Sequence, residues 1–312
     1  MANGTKIGAR RSGLGQKTAK IAKLVTPPIL YSLMQRLFAP KSAFAYKYPD
    51  YSIILPPNHL LPAYQEKFPK YDRFLPHLAS YMAPSATIID IGANVGDTLA
   101  GMVAKNAAST YVCIEPDDVF FGFLTRNIET MKRAKQNLVV HAVKSLVGKA
   151  VTGVSLEGKG GTKRAVISEG GAILSKTLDV ILSELPGIAN VRLLKSDVDG
   201  FDYDVLDSSM VVIRQNKPLI FFECQYFFEY QKDGFGRTLR TLQGEGYYDW
   251  VVFDNFGEVV VRTRDLDIIT KLLDYVWQQN IEKAPRTIYY YDILAVQSAD
   301  ITLIDTVLAT YA

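Results

Sequence analysis

The chain has few of the residues that build disulfide frameworks or metal centres. Of 312 residues, two are cysteine (Cys113 and Cys224) and three are histidine (His59, His77 and His141). Both cysteines lie inside apolar runs. They read as buried thiols of a reducing compartment, not as a disulfide framework or a zinc site. The histidines show no ligand spacing. No apolar run reaches the ~18 residues of a membrane span, and the basic start lacks the apolar stretch of a secretory signal. Acidic residues are missing from one region altogether: residues 1–49 hold nine Lys/Arg and no Asp or Glu. The remainder holds 26 Lys/Arg against 32 Asp/Glu, so the net charge of +3 conceals a mildly acidic body behind a basic arm. An acidic body does not suit a polyanion, and no nucleic-acid partner is expected. What is present, 48% apolar and 21% charged residues, is the make-up of a soluble globular protein, and with thiols of a reducing compartment it is expected in the cytoplasm.

Three regions follow from the pattern. Residues 1–82 read as a basic arm and extension, 83–298 as one α/β domain and 299–312 as a tail that closes in a short helix. In the extension, Thr26 can cap a helix with Pro27 and Pro28 in its first turn. Leu30, Leu33, Met34, Leu37 and Phe38 then share one helical face. Such a helix packs on the body or on a second copy of the chain, which makes a homo-oligomer one expectation. Peripheral contact with the inner face of a membrane is the other, because the nine positive charges would be drawn to anionic lipid. Residues 39–69 show only short strands such as Tyr51–Leu55, and Tyr71–Met82 reads as a helix.

From Ala86 strands and helices alternate. Strands fit Thr87–Ile91, Thr110–Glu115, Leu138–Ala142, Val191–Ser196 and Leu219–Glu223. Helices fit Thr98–Asn106, Asp117–Ala134, Lys176–Leu185, Phe201–Ser209 and Arg237–Gly244. Alternation of this kind calls for a parallel sheet covered on both faces. Residues 148–168 predict a Gly/Lys-rich hairpin at the rim. Trp250–Asp254 and Glu258–Arg262 predict a second hairpin, Arg264–Gln279 a helix and Tyr289–Val296 a last strand.

The organising stretch is Ile88-Ile89-Asp90-Ile91-Gly92-Ala93-Asn94-Val95-Gly96-Asp97-Thr98: a buried strand, a Gly-rich turn and a helix start. This arrangement brings a ligand against bare backbone and a helix N-terminus, and a Cβ on either glycine is expected to hold the ligand off. It is not the dinucleotide fingerprint, since Asn94 and Asp97 stand where that pattern has its second and third glycines. A carboxylate at Asp97 repels a pyrophosphate and suits a cation. The spacing resembles motif I of class I S-adenosylmethionine-dependent methyltransferases. Glu115, 25 residues beyond Asp90 and followed by Pro116, is placed to accept both ribose hydroxyls. Ser145, in the loop after the third strand, is placed at the adenine edge, and His141 reads as a plain polar residue of that strand.

The third signature is Leu193-Leu194-Lys195-Ser196-Asp197-Val198-Asp199-Gly200-Phe201-Asp202, at the strand edge where open α/β sheets bind ligands. With Thr177-Leu178-Asp179 upstream and Phe221-Phe222-Glu223 downstream, it resembles the FkbM family of methyltransferases over about Ala86 to Val296. Asp254-Asn255-Phe256-Gly257 and Tyr291-Asp292-Ile293-Leu294-Ala295 resemble that family's C-terminal pieces. Asp199 and Asp202 replace its usual glutamates, which keeps the charge and shortens the reach.

The resemblance implies a Rossmann-like seven-stranded class I methyltransferase sheet with its last strand antiparallel. It implies S-adenosylmethionine as cofactor, held by Asp90, Gly92, Asn94, Gly96, Asp97, Thr98, Glu115, Pro116, Ser145 and Asp197. The reaction expected is O-methylation of a saccharide or glycan hydroxyl, with Asp197, Glu223 and Lys195 as the catalytic candidates. Next to a carboxylate, Lys195 reads more readily as an ion-pair partner than as a base. Asp197, Asp199, Asp202 and Glu223 offer the oxygen ligands Mg²⁺ or Ca²⁺ prefers, but no further ligand pattern accompanies them and no metal is expected. Tyr226, Phe227 and Phe228 are either a sugar-stacking surface or core. The alternatives are a non-catalytic scaffold of the same fold and a methyltransferase of a polyketide-like metabolite.

Overall fold

The computed structural model describes residues 40–149, 154–157, 164–167, 175–282 and 288–311. The basic arm and the helix expected at Leu30–Phe38 fall outside these residues.

The core strand β3 (Thr87–Ile91) is buried at every position, as a continuous apolar run in a parallel sheet must be. It pairs in parallel with β4 (Thr110–Ile114), and β4 with β5 (Val139–Val143). On its other side β3 meets β10 (Val191–Ser196), which pairs with β11 (Leu219–Cys224), both in parallel. The strand β14 (Tyr291–Gln297) lies antiparallel between β11 and β12 (Tyr247–Asp254). The sheet therefore has the expected α/β architecture and an inserted antiparallel strand, but among the described residues it has eight strands where seven are expected. The eighth is β13 (Val259–Thr263), the second arm of the hairpin expected after Trp250, which continues the sheet beyond β12. The chain order reverses between β3 and β10, so the crevice at their carboxyl ends is a topological switch point.

Two cores cover the sheet. On one face Ile88, Tyr111, Leu193, Phe221, Phe253 and Leu294 pack against the N-terminal elements and the helices α3 (Asp97–Lys105), α4 (Asp118–Ala134) and α10 (Ile301–Thr310). On the other, Ile89, Val112, Leu194, Phe222 and Ile293 pack against α5 (Leu178–Ser183), α6 (Asp202–Ser208), α7 (Met210–Asn216), α8 (Glu229–Gly244) and α9 (Leu266–Glu282). The α4 cap is as expected: the Asp117 carboxylate accepts from Val119 N (3.0 Å) and Phe120 N (3.1 Å). Phe120, Leu124, Ile128 and Met131 then form its buried stripe. The hairpin expected near 148–168 is present as β7 (Val154–Glu157) paired with β8 (Arg164–Ile167), and the short strands β6 (Leu146–Val147) and β9 (Ser175–Lys176) pair in parallel.

The extension departs most from expectation. Residues 40–82 belong to the same unit as the sheet. They form a hairpin of β1 (Phe44–Lys47) and β2 (Ser52–Leu55), then α1 (Leu61–Lys67) and α2 (Phe74–Ala79), the last shorter than the Tyr71–Met82 expected. The fully buried Asn127 on α4 fastens this layer. Its side chain donates to Ile54 O (3.0 Å) and Val95 O (2.8 Å) and accepts from Ile54 N (2.7 Å). One amide thus joins the hairpin to the Gly-rich loop. Tyr48 Oη and Tyr51 Oη donate to Asp97 O and Ala100 O, holding the first turn of α3. Gly101 lets α2 sit on α3, because a Cβ there would lie 2.6 Å from Pro76 Cγ. Among the described residues no helix is long and apolar enough to cross a membrane.

Candidate functional site

Strand alternation sets the site. At the carboxyl ends of the parallel strands, Asp90 on β3, Lys195 on β10 and Glu223 on β11, with Asp292 from the amino end of the antiparallel β14, share the face of Ile88, Leu193, Phe221 and Leu294. Lys195 stands opposite Asp90 in register, and Glu223 opposite Asp292. Polar side chains therefore cross the carboxyl edge of the sheet in one row.

Lys195 is buried at the centre of the row. Its Nζ lies 2.9 Å from Asp90 Oδ1, 3.5 Å from Asp197 Oδ2 and 3.0 Å from the Gly92 carbonyl, to which it donates. Burial opposes the ammonium charge, but Asp90 and Asp197 outweigh it and hold its pKa above that of an ordinary lysine. A lysine held this way is a fixed cation, not a base. Asp90 is fully buried and its Oδ2 has no hydrogen-bond partner among the described residues. Burial raises its pKa, and the Lys195 charge pulls the other way. Asp197 follows the strand, with its N–H donated to Ile91 O (3.1 Å) and its carboxylate half exposed over the crevice.

The Gly-rich loop is built for its own backbone as much as for a ligand. Gly92 (φ +74°) and Gly96 (φ +80°) are left-handed, as is Asn94 (φ +48°). A Cβ on Gly92 would lie 2.0 Å from the Asp197 carbonyl oxygen, and one on Gly96 would lie 2.8 Å from Leu124 Cδ1. Each glycine thus makes room for neighbouring protein, a reason that stands beside the expected room for a ligand.

Glu115 is buried at the end of β4. Its Oε2 accepts from Asn94 N and its Oε1 from Asp117 N, both at 2.9 Å. Burial pushes its pKa up to about 7 against these two hydrogen bonds. Each oxygen keeps a second lone pair for a hydroxyl. Beyond it, Pro116, Val143, Ser145, Leu146 and Ile181 line a groove of about 400 Å³. Ser145 Oγ donates to Leu146 O at 3.3 Å.

On the other side of the loop, Asp97 opens α3 and Thr98 follows it. His59, from the extension, places Nε2 3.6 Å from Asp97 Oδ2. Its Nδ1 accepts from Leu61 N at 3.4 Å, which leaves the proton on Nε2, toward Asp97. No sequence spacing joins His59 to Asp97; only the docking of the extension does. Thr98 also lines a cavity of about 40 Å³ with Tyr71, Asp72, Phe221, Tyr290 and Asp292. Asp72 has a left-handed backbone (φ +54°) and is an exposed residue. The surrounding protein, together with Asp97 and Asp197, still raises its pKa to about 7.

Asp202, expected beside these groups, is fully buried and takes a structural part. Its Oδ1 accepts from Ser196 Oγ (2.6 Å) and Val198 N (3.2 Å), which ties the turn after β10. Asp199 sits in that turn with φ +53°. Of the three aromatics after β11, Tyr226 is core, while Phe227 and Phe228 are exposed. Among the described residues no group of three His, Cys, Asp or Glu side chains is set to hold a metal ion.

The sequence profile of the methyltransferase FkbM domain matches residues 90–248, about half of the chain. No curated protein matches. Among solved structures the chain is similar to the methyltransferase FkbM of Methylobacillus flagellatus KT, at 14% identity and a TM-score of 0.37. That likeness covers 68% of this chain and 44% of the other, so the chain spans less than half of that protein. It is also similar to TYW2 of M. jannaschii in complex with AdoMet (11% identity, 82% and 85% covered, TM-score 0.41). A third is precorrin-6y C5,15-methyltransferase of Geobacter metallireducens GS-15 (11%, 72% and 87%, 0.38). Likenesses this distant decide nothing about the chemistry.

Proposed function

This chain belongs to the FkbM methyltransferase family, and from that premise we propose that it methylates a hydroxyl oxygen of a saccharide or glycan. The cofactor is S-adenosylmethionine. The residues fit that group on three counts. Asp90 Oδ2 is a buried acceptor with no partner among the described residues, suited to an ammonium, directly or through water. Glu115 retains acceptor capacity for hydroxyls. The groove at Pro116 and Ser145 has room for a flat base. Asp90, Asp97 and Asp197 would hold the amino-acid end, Glu115 the ribose, and the loop 92–96 with Thr98 the part between.

The bound cofactor supplies an activated methyl group on a cationic sulfur. The protein's own part is then alignment and proton handling. Proximity and orientation in such a crevice lower the barrier by several kcal/mol, about 7–11 at the upper end. Lys195 fixes Asp90 and Asp197 at their positions by charge. Asp197, at the strand end over the crevice, accepts the proton of the acceptor hydroxyl as that oxygen attacks. A carboxylate is a weak base for a sugar hydroxyl, but the oxygen becomes acidic as its new bond forms. Glu223 is the second candidate for this role, on the next strand.

The observation that carries the reading is the row Asp90–Lys195–Asp197 at the switch point, facing the loop 92–96. The test is transfer of labelled methyl from S-adenosylmethionine to a panel of oligosaccharides, with calorimetry of S-adenosylhomocysteine alongside. Label in an ether linkage is the expected product. Label on nitrogen or carbon, or cofactor binding without transfer to any acceptor, would replace this reading. The basic arm, proposed to hold the enzyme at a membrane surface near glycan assembly, is tested separately: deleting residues 1–24 should weaken binding to anionic vesicles and spare cofactor affinity.

A further inference from the structure

The loop after β11 turns aromatic side chains to solvent. Tyr226 shows that a ring can be buried there: it is 7% exposed and packs on Phe235 and Trp277, with ring centres 5.4 and 6.3 Å away. The rings that follow point the other way. Phe227, Phe228 and Tyr230 are 37%, 46% and 54% exposed. Exposed apolar residues scattered singly are ordinary. Aromatic residues gathered in one short stretch form a patch instead, and a patch beside a crevice marks a binding surface.

The rings are held in place from beneath. Gln231 is fully buried. Its Oε1 accepts from Phe227 N (2.7 Å) and Phe228 N (2.9 Å), and its Nε2 donates to Gly200 O (3.0 Å). One amide thus fixes the backbone under the rings and ties it to the turn after β10. Phe228 and Tyr230 stand parallel, 8° apart in plane with ring centres 5.6 Å apart, the offset arrangement aromatic pairs prefer. Phe227 sits over Gly200, where a Cβ would lie 3.0 Å from its Cδ2. Gly200 follows Asp197 by three residues, at most about 11 Å of chain. The patch and Asp197 are therefore neighbours at the carboxyl edge of the sheet.

Chemistry selects the occupant. An aromatic face is negative at its centre, and the C–H bonds on one side of a pyranose ring offer it an apolar, weakly positive surface. The rim of the same sugar carries hydroxyls that need polar partners. The core of a protein–protein interface is depleted of charge, yet here exposed Glu229 stands between Phe228 and Tyr230 in the chain. Building on the sugar-hydroxyl reading, we propose that Phe228 and Tyr230 stack a neutral sugar unit of the acceptor, next along the chain from the unit methylated beside Asp197. The acceptor is then an oligosaccharide or glycan chain, not a free monosaccharide. Gln231 is the positioning residue of this subsite, and because the loop is already fixed, little ordering is lost when the sugar arrives.

The probes are sugars of the gluco, manno and galacto series, each as monosaccharide and tetrasaccharide, offered with labelled S-adenosylmethionine to the full-length protein. In each series that takes label, kcat/KM should be at least about tenfold higher for the tetrasaccharide, a gap of about 1.4 kcal/mol. The double variant Phe228→Leu/Tyr230→Leu keeps apolar bulk and loses the ring faces. It should bring the two lengths to within about threefold by raising the tetrasaccharide KM more than it lowers kcat, with S-adenosylhomocysteine binding reporting that it is folded. Phe228→Tyr/Tyr230→Trp keeps the faces and should keep the preference. Equal use of both lengths by the wild type overturns the proposal, as does a preference that survives the leucine pair or is lost in the aromatic pair. So does a fall in kcat alone, or a wild-type dimer that the leucine pair dissociates, which would assign the patch to a second copy. Label on hydroxyls with no preference for length sinks the inference and leaves the O-methyltransferase reading standing. Label on no sugar, from a protein that binds S-adenosylhomocysteine, sinks both.

Discussion

Replacing Lys195 by methionine tests the centre of the site. The side chain keeps most of its volume and loses its charge. In the wild type the ammonium lies 2.9 Å from Asp90 Oδ1 and 3.5 Å from Asp197 Oδ2. At an effective dielectric constant of about 20, these distances correspond to roughly 6 and 5 kcal/mol of attraction. The second is screened, because Asp197 is half exposed. The first is not, because Asp90 is fully buried. Stripped of its cation, Asp90 must stay charged in a dry site or take up a proton. Breaking a buried pair from one side costs about 3–5 kcal/mol. Proton uptake caps that cost at about 1.4 kcal/mol for each pH unit above the ordinary pKa near 4. The cap is then about 4 kcal/mol at pH 7 and about 1–2 at pH 5.

The sign follows from the raised pKa of Asp90. A carboxyl whose folded pKa exceeds its unfolded value contributes stability below the unfolded pKa and loses it as pH rises through the folded one. Lys195→Met strengthens that rise, so its deficit against wild type grows from pH 5 to pH 7. Urea unfolding at both pH values measures it. Asp90→Asn in the Lys195→Met background should recover most of the loss at pH 7. A deficit independent of pH, or a double variant as unstable as Lys195→Met alone, would refute the ion-pair account and leave packing as the cause.

Three further outcomes are expected. Glu115→Ala should weaken cofactor binding by about 1–3 kcal/mol, and unchanged affinity by calorimetry would remove Glu115 from the ribose site. Asp202→Asn should be more stable than wild type at pH 8 and nearly equal at pH 4. Burial raises the Asp202 pKa to about 7, so the stability it lends near its ordinary pKa is lost as pH rises through 7; a variant less stable at pH 8 would contradict this. Asp197→Asn should keep the fold and most cofactor affinity but lower turnover by roughly 10²–10⁴-fold. Near-normal single-turnover transfer would move the proton-accepting role to Glu223.

What the sequence made legible was local. The all-apolar run Thr87–Ile91, the Asp117 cap and the positive-φ loop Gly92–Gly96 each lie within a few residues, and all three stand in the structure. The elements misjudged depend on distant partners. The helix expected from Arg237 begins at Glu229, because Gln231 accepts from the N–H groups of Phe227 and Phe228 and donates to Gly200 O, 31 residues earlier. Gly234 weakens the local helical signal there, yet it is required: a Cβ would lie 2.7 Å from Tyr203. The hairpin at residues 44–55 was half visible, since its outer strand alternates only weakly and its anchor, Asn127, is on α4. His59 beside Asp97, and Asp72 above Asp292, carry no motif of their own.

The same division separates the two halves of the site. The cofactor is one molecule with one shape, so its groups can be met by residues close in sequence. On the proposed function Asp90 to Glu115 would supply most of them, with Lys195 and Asp197 completing them from the adjacent strand. On the proposed function the acceptor would enter beside the cavity lined by Tyr71, Asp72, Tyr290 and Asp292, segments joined only by the docking of the extension and the insertion of β14. The extension is held by burial and by hydrogen bonds such as those of Asn127 and Tyr51, not by contacts with the reacting atoms. Its loops can therefore change while the loop 92–96 and the Lys195 cluster stay fixed. Substitutions at Asp72 or Asp292 should alter which acceptor is bound and leave cofactor affinity in place, whereas substitutions at Asp90 or Lys195 should damage both.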